Sequence, residues 1–267
     1  MRIVLPLALA AALLAPTLAA AQTADSEPLP PRSLDLSFQE PYFGLYDRAA
    51  LQRGYQVYKE VCSACHSLNR IAFHDLGAPG GPGFSEAQVK ALAAAAKVPA
   101  EPNDKGETYN SSGERITRPG IPADAMPAPF ANVEAARAAN NGAAPPDLSV
   151  IVKAREGGAN YVYSILTGFG QKPPPGFKVL AGKYYNPYFA GRNISMPPPL
   201  TDGAVTYSDG TKAAIDQEAK DVVTFLSWAA EPKMEERKQL GFEVVAFLVL
   251  LSALLYLSYR RVWRDKH

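Results

Sequence analysis

Cysteine occurs twice in this 267-residue chain, at Cys62 and Cys65, and the residue after the second is His66. The stretch Val61-Cys62-Ser63-Ala64-Cys65-His66-Ser67 thus carries the C-x-x-C-H attachment signature of a c-type haem. Two thiols at that spacing add across the two vinyl groups of a porphyrin. The histidine that follows is carried beneath the ring, where its imidazole binds iron. A chain with this tether must fold around a flat macrocycle. Two other chemistries use paired cysteines. A thioredoxin-like dithiol requires a βαβ context, and none is legible around Cys62. A structural zinc site requires about four Cys/His ligands, but two cysteines and three histidines are all that exist, and one is the terminal His267.

The two ends of the chain set the compartment. Met1 to Ala21 reads as a secretory signal peptide: Arg2 is the basic start, Ile3 to Leu14 the apolar stretch, and Ala19-Ala20-Ala21 the small-residue cleavage site. Export agrees with covalent haem attachment. An oxidising compartment permits disulfides, but both cysteines are committed to haem c, so none is expected. Near the other end, Gly241 to Tyr259 is an apolar run whose one charge is Glu243. At about 1.5 Å per residue it spans about 28 Å, close to the thickness of a bilayer core. Arg260, Arg261, Arg264 and Lys266 follow, as the positive-inside rule places them in the cytoplasm. The expected layout is a signal peptide (1–21), a periplasmic haem c domain (22–240), a transmembrane anchor helix in the bacterial inner membrane (241–259) and a cytoplasmic basic tail (260–267). Arg2 and four tail residues account for five of the 27 Lys+Arg, and Glu243 and Asp265 for two of the 26 Asp+Glu. The haem domain is then left with a net charge of about −2 before haem propionates are added, which favours a basic partner over nucleic acid.

Within the domain, residues 22–44 lack helical periodicity and predict an extended arm. Asp47 caps a helix whose buried face holds Leu51, Tyr55, Tyr58 and Cys62. Gly77 to Gly83 is a loop, and Ser85-x-x-Gln88 is a capping box opening a helix to about Lys97. Residues 100–131 predict a long surface excursion. Asn132 caps a helix ending at Gly142, and Asp147 caps another over 148–156. Gly157-Gly158 closes it, and Asn160 begins a helix that Gly168 closes. The stretch 169–200 is irregular, a short hairpin is expected at 205–210, and Ile215, Ala219, Val222, Leu226 and Ala229 mark an amphipathic helix. Pro232 separates it from the charged segment 233–238. These elements describe a mainly α, class I-like cytochrome c fold with long irregular insertions, plus one C-terminal transmembrane helix.

An iron that only transfers electrons needs a second axial ligand. His74 stands eight residues after His66, too short a loop to reach the far side of the ring easily. Met1 is removed with the signal peptide, and Met234 lies in the charged segment. Met126 and Met196 remain, each followed by proline. Met196 is better placed, after an irregular aromatic loop and before the last helix of the domain, but both are open on the residues alone. Either is also compatible with ordinary packing. A methionine–histidine pair raises the iron potential. The residues alone equally leave open an anchored cytochrome c subunit of another respiratory enzyme, such as a dehydrogenase, and an exported dithiol oxidoreductase.

The chain resembles the cytochrome c1 family, the haem-bearing subunits of cytochrome bc1 complexes, in its alphaproteobacterial form. The resemblance runs through Arg53-Gly-Tyr-Gln-Val-Tyr-Lys59, Glu134-Ala-Ala-Arg-Ala-Ala-Asn-Asn-Gly142, Pro145-Pro-Asp-Leu-Ser149 and Ala154-Arg-Glu-Gly-Gly158. It continues in Tyr185-Asn-Pro-Tyr-Phe189, Met196-x-Pro-Pro and Asp221-Val-Val-Thr-Phe-Leu-Ser-Trp-Ala-Ala-Glu-Pro232. It implies one covalently bound haem c on Cys62 and Cys65, with His66 and Met196 as iron ligands and Arg155 reaching a haem propionate. A cation near the end of the helix expected over 148–156 would equally satisfy the helix dipole. The resemblance further implies cytochrome b and a Rieske iron–sulfur protein as partners, membrane lipid around the anchor, and a soluble c-type cytochrome as electron acceptor. By itself such a chain is an electron-transfer subunit without catalytic acid, base or nucleophile, inside a multisubunit quinol–cytochrome c oxidoreductase. Some bacterial relatives carry an extra disulfide near the haem, which two haem-linked cysteines cannot form.

Overall fold

The computed structural model describes residues 27–266; the expected signal peptide and His267 lie outside the described residues. Six α-helices carry the described fold: α1 (Arg48–Glu60), α2 (Glu86–Ala94), α3 (Val133–Ala139), α4 (Gly158–Thr167), α5 (Ile215–Ala230) and α6 (Met234–Trp263). Two minimal antiparallel sheets pin the loops between them. β1 (Lys97–Pro99) pairs with β2 (Thr117–Pro119), with Val98 opposite Arg118. β3 (Tyr184–Tyr185) pairs with β4 (Asn193–Ile194), with Tyr184 opposite Ile194.

The helix starts follow the expected side-chain chemistry. Asp47 accepts from the Ala49 and Ala50 N–H groups, Ser85 and Gln88 form the capping box, and Asn132 accepts from Ala135 N–H. Each satisfies donors that a helix N-terminus leaves unpaired. Helix α2 stops three residues before Lys97 because Lys97–Pro99 pairs with Thr117–Pro119 instead, and α3 ends at Ala139 rather than Gly142. The excursion at 100–131 returns to the core: Met126 is buried and its N–H donates to Ile71 O at 3.0 Å. No hairpin forms at 205–210, where Val205 and Tyr207 turn inward.

The core centres on α5. Its expected apolar stripe covers only part of what is buried, because every residue from Glu218 to Ala229 except Lys220 is enclosed. The hydroxyls of that stretch bond within the helix: Thr224 Oγ1 donates to Lys220 O and Ser227 Oγ to Val223 O. Helix α1 crosses α5 at Gly54. A β-carbon there would meet the Asp221 carbonyl oxygen at 2.0 Å and Phe225 Cβ at 2.7 Å, so the backbones touch only because Gly54 has no side chain. Beside the crossing, Arg53 forks onto the carboxylate of Asp221, with Nε to Oδ2 at 2.9 Å and Nη2 to Oδ1 at 3.0 Å. A third contact reaches Asp209 at 2.9 Å. Asp221 is 1% exposed, and a buried carboxylate is tolerable when a guanidinium pairs with it in two-point geometry. Tyr55, Tyr58 and Trp228 stack around Phe225 with centroids 5.6–5.9 Å apart.

The arm lies on this core as expected. Leu29 N–H donates to Pro187 O, Arg32 N–H to Ser164 Oγ, and Arg32 Nε to Tyr188 Oη at 2.7 Å.

The charged segment after Pro232 packs onto the domain. Met234 is buried, Glu235 accepts from the Tyr46 N–H at 2.7 Å, and Lys238 Nζ donates to Phe38 O at 3.0 Å. The first turns of α6 therefore belong to the domain, and the helix runs without interruption into the apolar stretch. At 30 residues it is about 45 Å long. It is the one described helix long and apolar enough to cross a membrane, and no residue of its apolar window is buried in the rest of the chain.

Gly54→Ala should force α1 off α5 and destabilise the domain by at least the about 1–3 kcal/mol typical of overpacking. Guanidinium unfolding of the haem-loaded chain measures it, and an unchanged midpoint would remove the close crossing as a determinant of the fold.

Candidate haem site

Helix α1 delivers the motif. It ends at Glu60, and Cys62–Ala64 continues as a single 3-10 turn. The Cys62 carbonyl then accepts from both Cys65 N–H at 3.1 Å and His66 N–H at 2.9 Å. One turn of backbone thus gathers Cys62, Cys65 and His66. Cys62 packs against the main core, while Cys65 is exposed. Burial, with Cys65 adding to it, pushes the Cys62 thiol up to about 12. A dithiol oxidoreductase needs the opposite shift, toward thiolate.

The His66 imidazole is oriented from outside the motif. Its Nδ1 lies 2.8 Å from Pro146 O. A carbonyl can only accept, so Nδ1 carries the proton and Nε2 the lone pair, the tautomer a metal ligand needs. Burial holds the imidazole below its ordinary value, against the opposing influence of the Pro146 carbonyl and the Asp147 carboxylate. The ring is therefore neutral at pH 7 and free to donate a lone pair.

The segment after His66 is zipped to the 146–149 loop. Leu148 N–H donates to Ser67 O at 2.9 Å, and Arg70 N–H to Ser149 Oγ at 3.1 Å. Asp147 Oδ2 accepts from Ser67 Oγ at 2.7 Å and Asn69 N–H at 2.9 Å, and Oδ1 from Ser149 N–H at 2.9 Å. Burial raises the Asp147 carboxyl, but these donors outweigh it and hold it below the usual carboxylate range. This corrects the expected helix over 148–156. Residues 149–157 form turns and bends instead of a helix; Asp147 Oδ1 accepts locally from Ser149 N–H, while Oδ2 is committed to the distant Ser67 and Asn69. Pro146 and Asp147 are the positioning residues that sequence reasoning missed. The Asp-Leu-Ser spacing shows a local bond to Ser149 but not the partners at Ser67 and Asn69.

The methionine candidates separate. Met126 is 4% exposed within the main core. Met196 is half-buried in a second cluster with Ile165, Tyr188 and Ile194, flanked by Tyr161 and Phe169. That cluster hangs on α4. Asn186, fully buried, donates from Nδ2 to Ile165 O at 2.8 Å and accepts from Tyr188 N–H at 3.1 Å. The loop closes on α4 at Gly168, where a β-carbon would meet Tyr188 Cδ2 at 2.7 Å. The opposite side of α4 places Ala159 and Tyr163 in the main core, and Tyr163 Oη donates to Asp216 of α5. Helix α5 thus supports α1, which carries the motif, and α4, which carries the Met196 loop. His74 has both nitrogens engaged, Nδ1 3.1 Å from Pro122 O and Nε2 3.2 Å from Asp75. Arg155 is exposed on a turn rather than at a helix end, with Nη1 donating to Ala154 O at 2.9 Å; the helix-dipole reading of it lapses. Burial raises the Tyr161 phenol, and the Arg155 charge opposes that rise.

The residues fit a covalently held haem: two thiols and a neutral imidazole on one turn, and a methionine sulfur held apart from the core in an aromatic cluster. Asp147→Ala would leave the Ser67 hydroxyl and Asn69 N–H unpaired and should cost about 1–3 kcal/mol. Denaturant unfolding followed at the haem absorption band should show the lowered midpoint, and an unaltered transition would mean that Asp147 does not hold the His66 segment.

Known proteins bear the same arrangement of sequence. The sequence model of the Cytochrome C1 family matches residues 36–266. Cytochrome c1 of Rhodospirillum rubrum is 49% identical over 241 residues, covering 84% of this chain and 85% of that one. Cytochrome b/c1 of Bradyrhizobium diazoefficiens is 50% identical over 249 residues, 86% of this chain but only 35% of that longer protein. A mitochondrial cytochrome c1 heme protein of Arabidopsis thaliana is 49% identical over 217 residues, 81% of this chain and 67% of its own. With the haem motif, the mainly helical fold and these relatives in agreement, the chain belongs to the cytochrome c1 family, the haem c electron-transfer subunit of the bc1 complex.

Proposed function

We propose that the chain takes one electron from a Rieske iron–sulfur protein and hands it to a soluble c-type cytochrome, as part of a quinol–cytochrome c oxidoreductase that also contains cytochrome b. Bound haem c supplies the one-electron iron couple. In this reading Cys62 and Cys65 form the two thioethers, His66 and Met196 bind the iron, and Arg155 neutralises a propionate. Residues 1–21 direct export, 22–240 form the periplasmic domain, 241–259 cross the inner membrane and 260–267 lie in the cytoplasm. The observation that carries the reading is the Nδ1 contact of His66 with Pro146 O, because it fixes the tautomer that presents Nε2 to a metal.

The chain's own work is positional. Outer-sphere transfer moves no proton and forms no bond, so no side chain needs to act as acid, base or nucleophile. The Pro146–Asp147 loop holds the imidazole plane. The α4-borne aromatic cluster holds Met196, whose thioether favours the reduced iron and so raises the potential. The α1–α5 pair keeps both sides at a constant separation, which limits reorganisation when charge changes.

The methionine assignment supplies the sharpest test. Met196→Leu keeps volume and apolarity but removes the sulfur, and should lower the potential by on the order of a few hundred millivolts. At about 59 mV per tenfold in a one-electron equilibrium, such a fall would block reduction by the Rieske centre. Met126→Leu should leave the potential unchanged, since packed positions tolerate volume-conserving exchange. Redox titration of the two variants decides, and the reverse pattern would transfer the ligand role to Met126. For the complex, extraction in mild detergent should recover the chain with cytochrome b and a Rieske protein, whereas recovery with a dehydrogenase would refute the partner assignment.

A further inference from the structure

Between the arm and α1, residues Tyr42-Phe43-Gly44-Leu45 form a loop that the haem chemistry does not use. Tyr42 and Phe43 are 76% and 78% exposed, and Leu45 is 59% exposed. Exposed singly, such residues would mean little, but three together on one tight loop form a patch. Its place in the molecule gives it meaning. The Phe43 ring lies 6.3 Å, centroid to centroid, from the ring of Phe242, the second residue of the apolar run that begins at Gly241. That run spans about 28 Å, so its first turn stands at the edge of the hydrocarbon layer if α6 crosses a bilayer. Phe43 then stands at the same level.

The loop is held there by built contacts. Lys238 Nζ donates to Phe38 O at 3.0 Å and reaches the carbonyls of Glu40 and Gly44. Gly44 has no side chain where a β-carbon would stand 2.7 Å from Lys238 Nζ. Glu235 of α6 accepts from Tyr46 N–H and from Arg48. The loop and the first turns of α6 thus move as one body. Between them lies a cavity of about 710 Å³, bordered also by Pro79, Gly80 and Pro232.

We propose that the Tyr42–Leu45 loop is a second membrane contact, an aromatic wedge inserted into the bilayer interface beside α6. This rests on reading α6 as the membrane span. Aromatic rings with one apolar body and, in Tyr42, a polar tip partition to that layer. The charges bordering the cavity are Glu235, Glu236, Glu243 and Lys238, and the ammonium group is already taken by three carbonyls. The contact is therefore with the apolar interfacial layer of a zwitterionic bilayer rather than with anionic headgroups. The consequence is orientation: two contacts, unlike one helix, set the tilt of the haem domain over the membrane.

The test places the photoreactive amino acid p-benzoylphenylalanine at Phe43, at Tyr42 or at Leu250 of the full-length haem-loaded chain, in its assembled complex, in phosphatidylcholine vesicles. Haem staining selects haem-loaded protein. After illumination, mass spectrometry should find phosphatidylcholine adducts at 43 and 42 as well as at 250. Adducts at 250 with none at 43 and 42, or with cross-links from 43 and 42 to another subunit, would overturn the wedge while leaving the span intact. Absence of lipid at 250 would instead refute α6 as the span, and the wedge with it. Adducts at 43 that require added anionic lipid would refute the apolar mode.

Discussion

The contact on which everything else depends is the crossing of α1 and α5 at Gly54. It brings two backbones together at a distance that only glycine permits, and Arg53 locks the approach by forking onto the buried Asp221. Neither half is sufficient alone. A close crossing without the ion pair would leave a buried carboxylate uncompensated, at a cost of several kcal/mol. An ion pair without the close crossing would hold the helices too far apart for Phe225 to sit among Tyr55, Tyr58 and Trp228. Because α1 ends at Glu60, two residues before Cys62, the crossing also fixes where the motif emerges.

From that contact the site extends in two directions. Along α1, the motif turn and the 146–149 loop hold His66. Through α5, the Tyr163–Asp216 contact seats α4, whose far face carries the cluster around Met196. His66 and Met196, the two proposed iron ligands, belong to separate loops and are thus referred to one pair of packed helices. Such an arrangement suits a site whose work is to keep its geometry while its charge changes.

What could be read beforehand follows a physical division. Signals that are local in the chain were legible: Asp47, Ser85 with Gln88, and Asn132 each cap the helix that follows, and the motif itself is five consecutive residues. Signals that depend on distant partners were not. Asp147 has the chemistry of a cap, yet Ser67 and Asn69 claim one of its oxygens, and no helix follows. The charge of residues 233–238 does not show what they touch, since Glu235 and Lys238 have backbone partners about two hundred positions away. The hairpin expected at 205–210 fails because Val205 and Tyr207 are drawn toward α5, which is buried well beyond the one apolar face that periodicity suggested. Met196 and Met126 are both Met-Pro; position in the chain and the family resemblance favour Met196, and packing adds that Met126 is a core residue while Met196 is held in a separate aromatic cluster.

The central claim is that one iron is held between His66 and Met196. X-ray absorption at the iron edge of the oxidised, haem-loaded chain reads the ligand atoms directly. The account predicts one sulfur and one imidazole nitrogen beyond the four porphyrin nitrogens, with the sulfur lost in Met196→Leu and retained in Met126→Leu. Two axial nitrogens, or a sulfur that survives Met196→Leu, would contradict it.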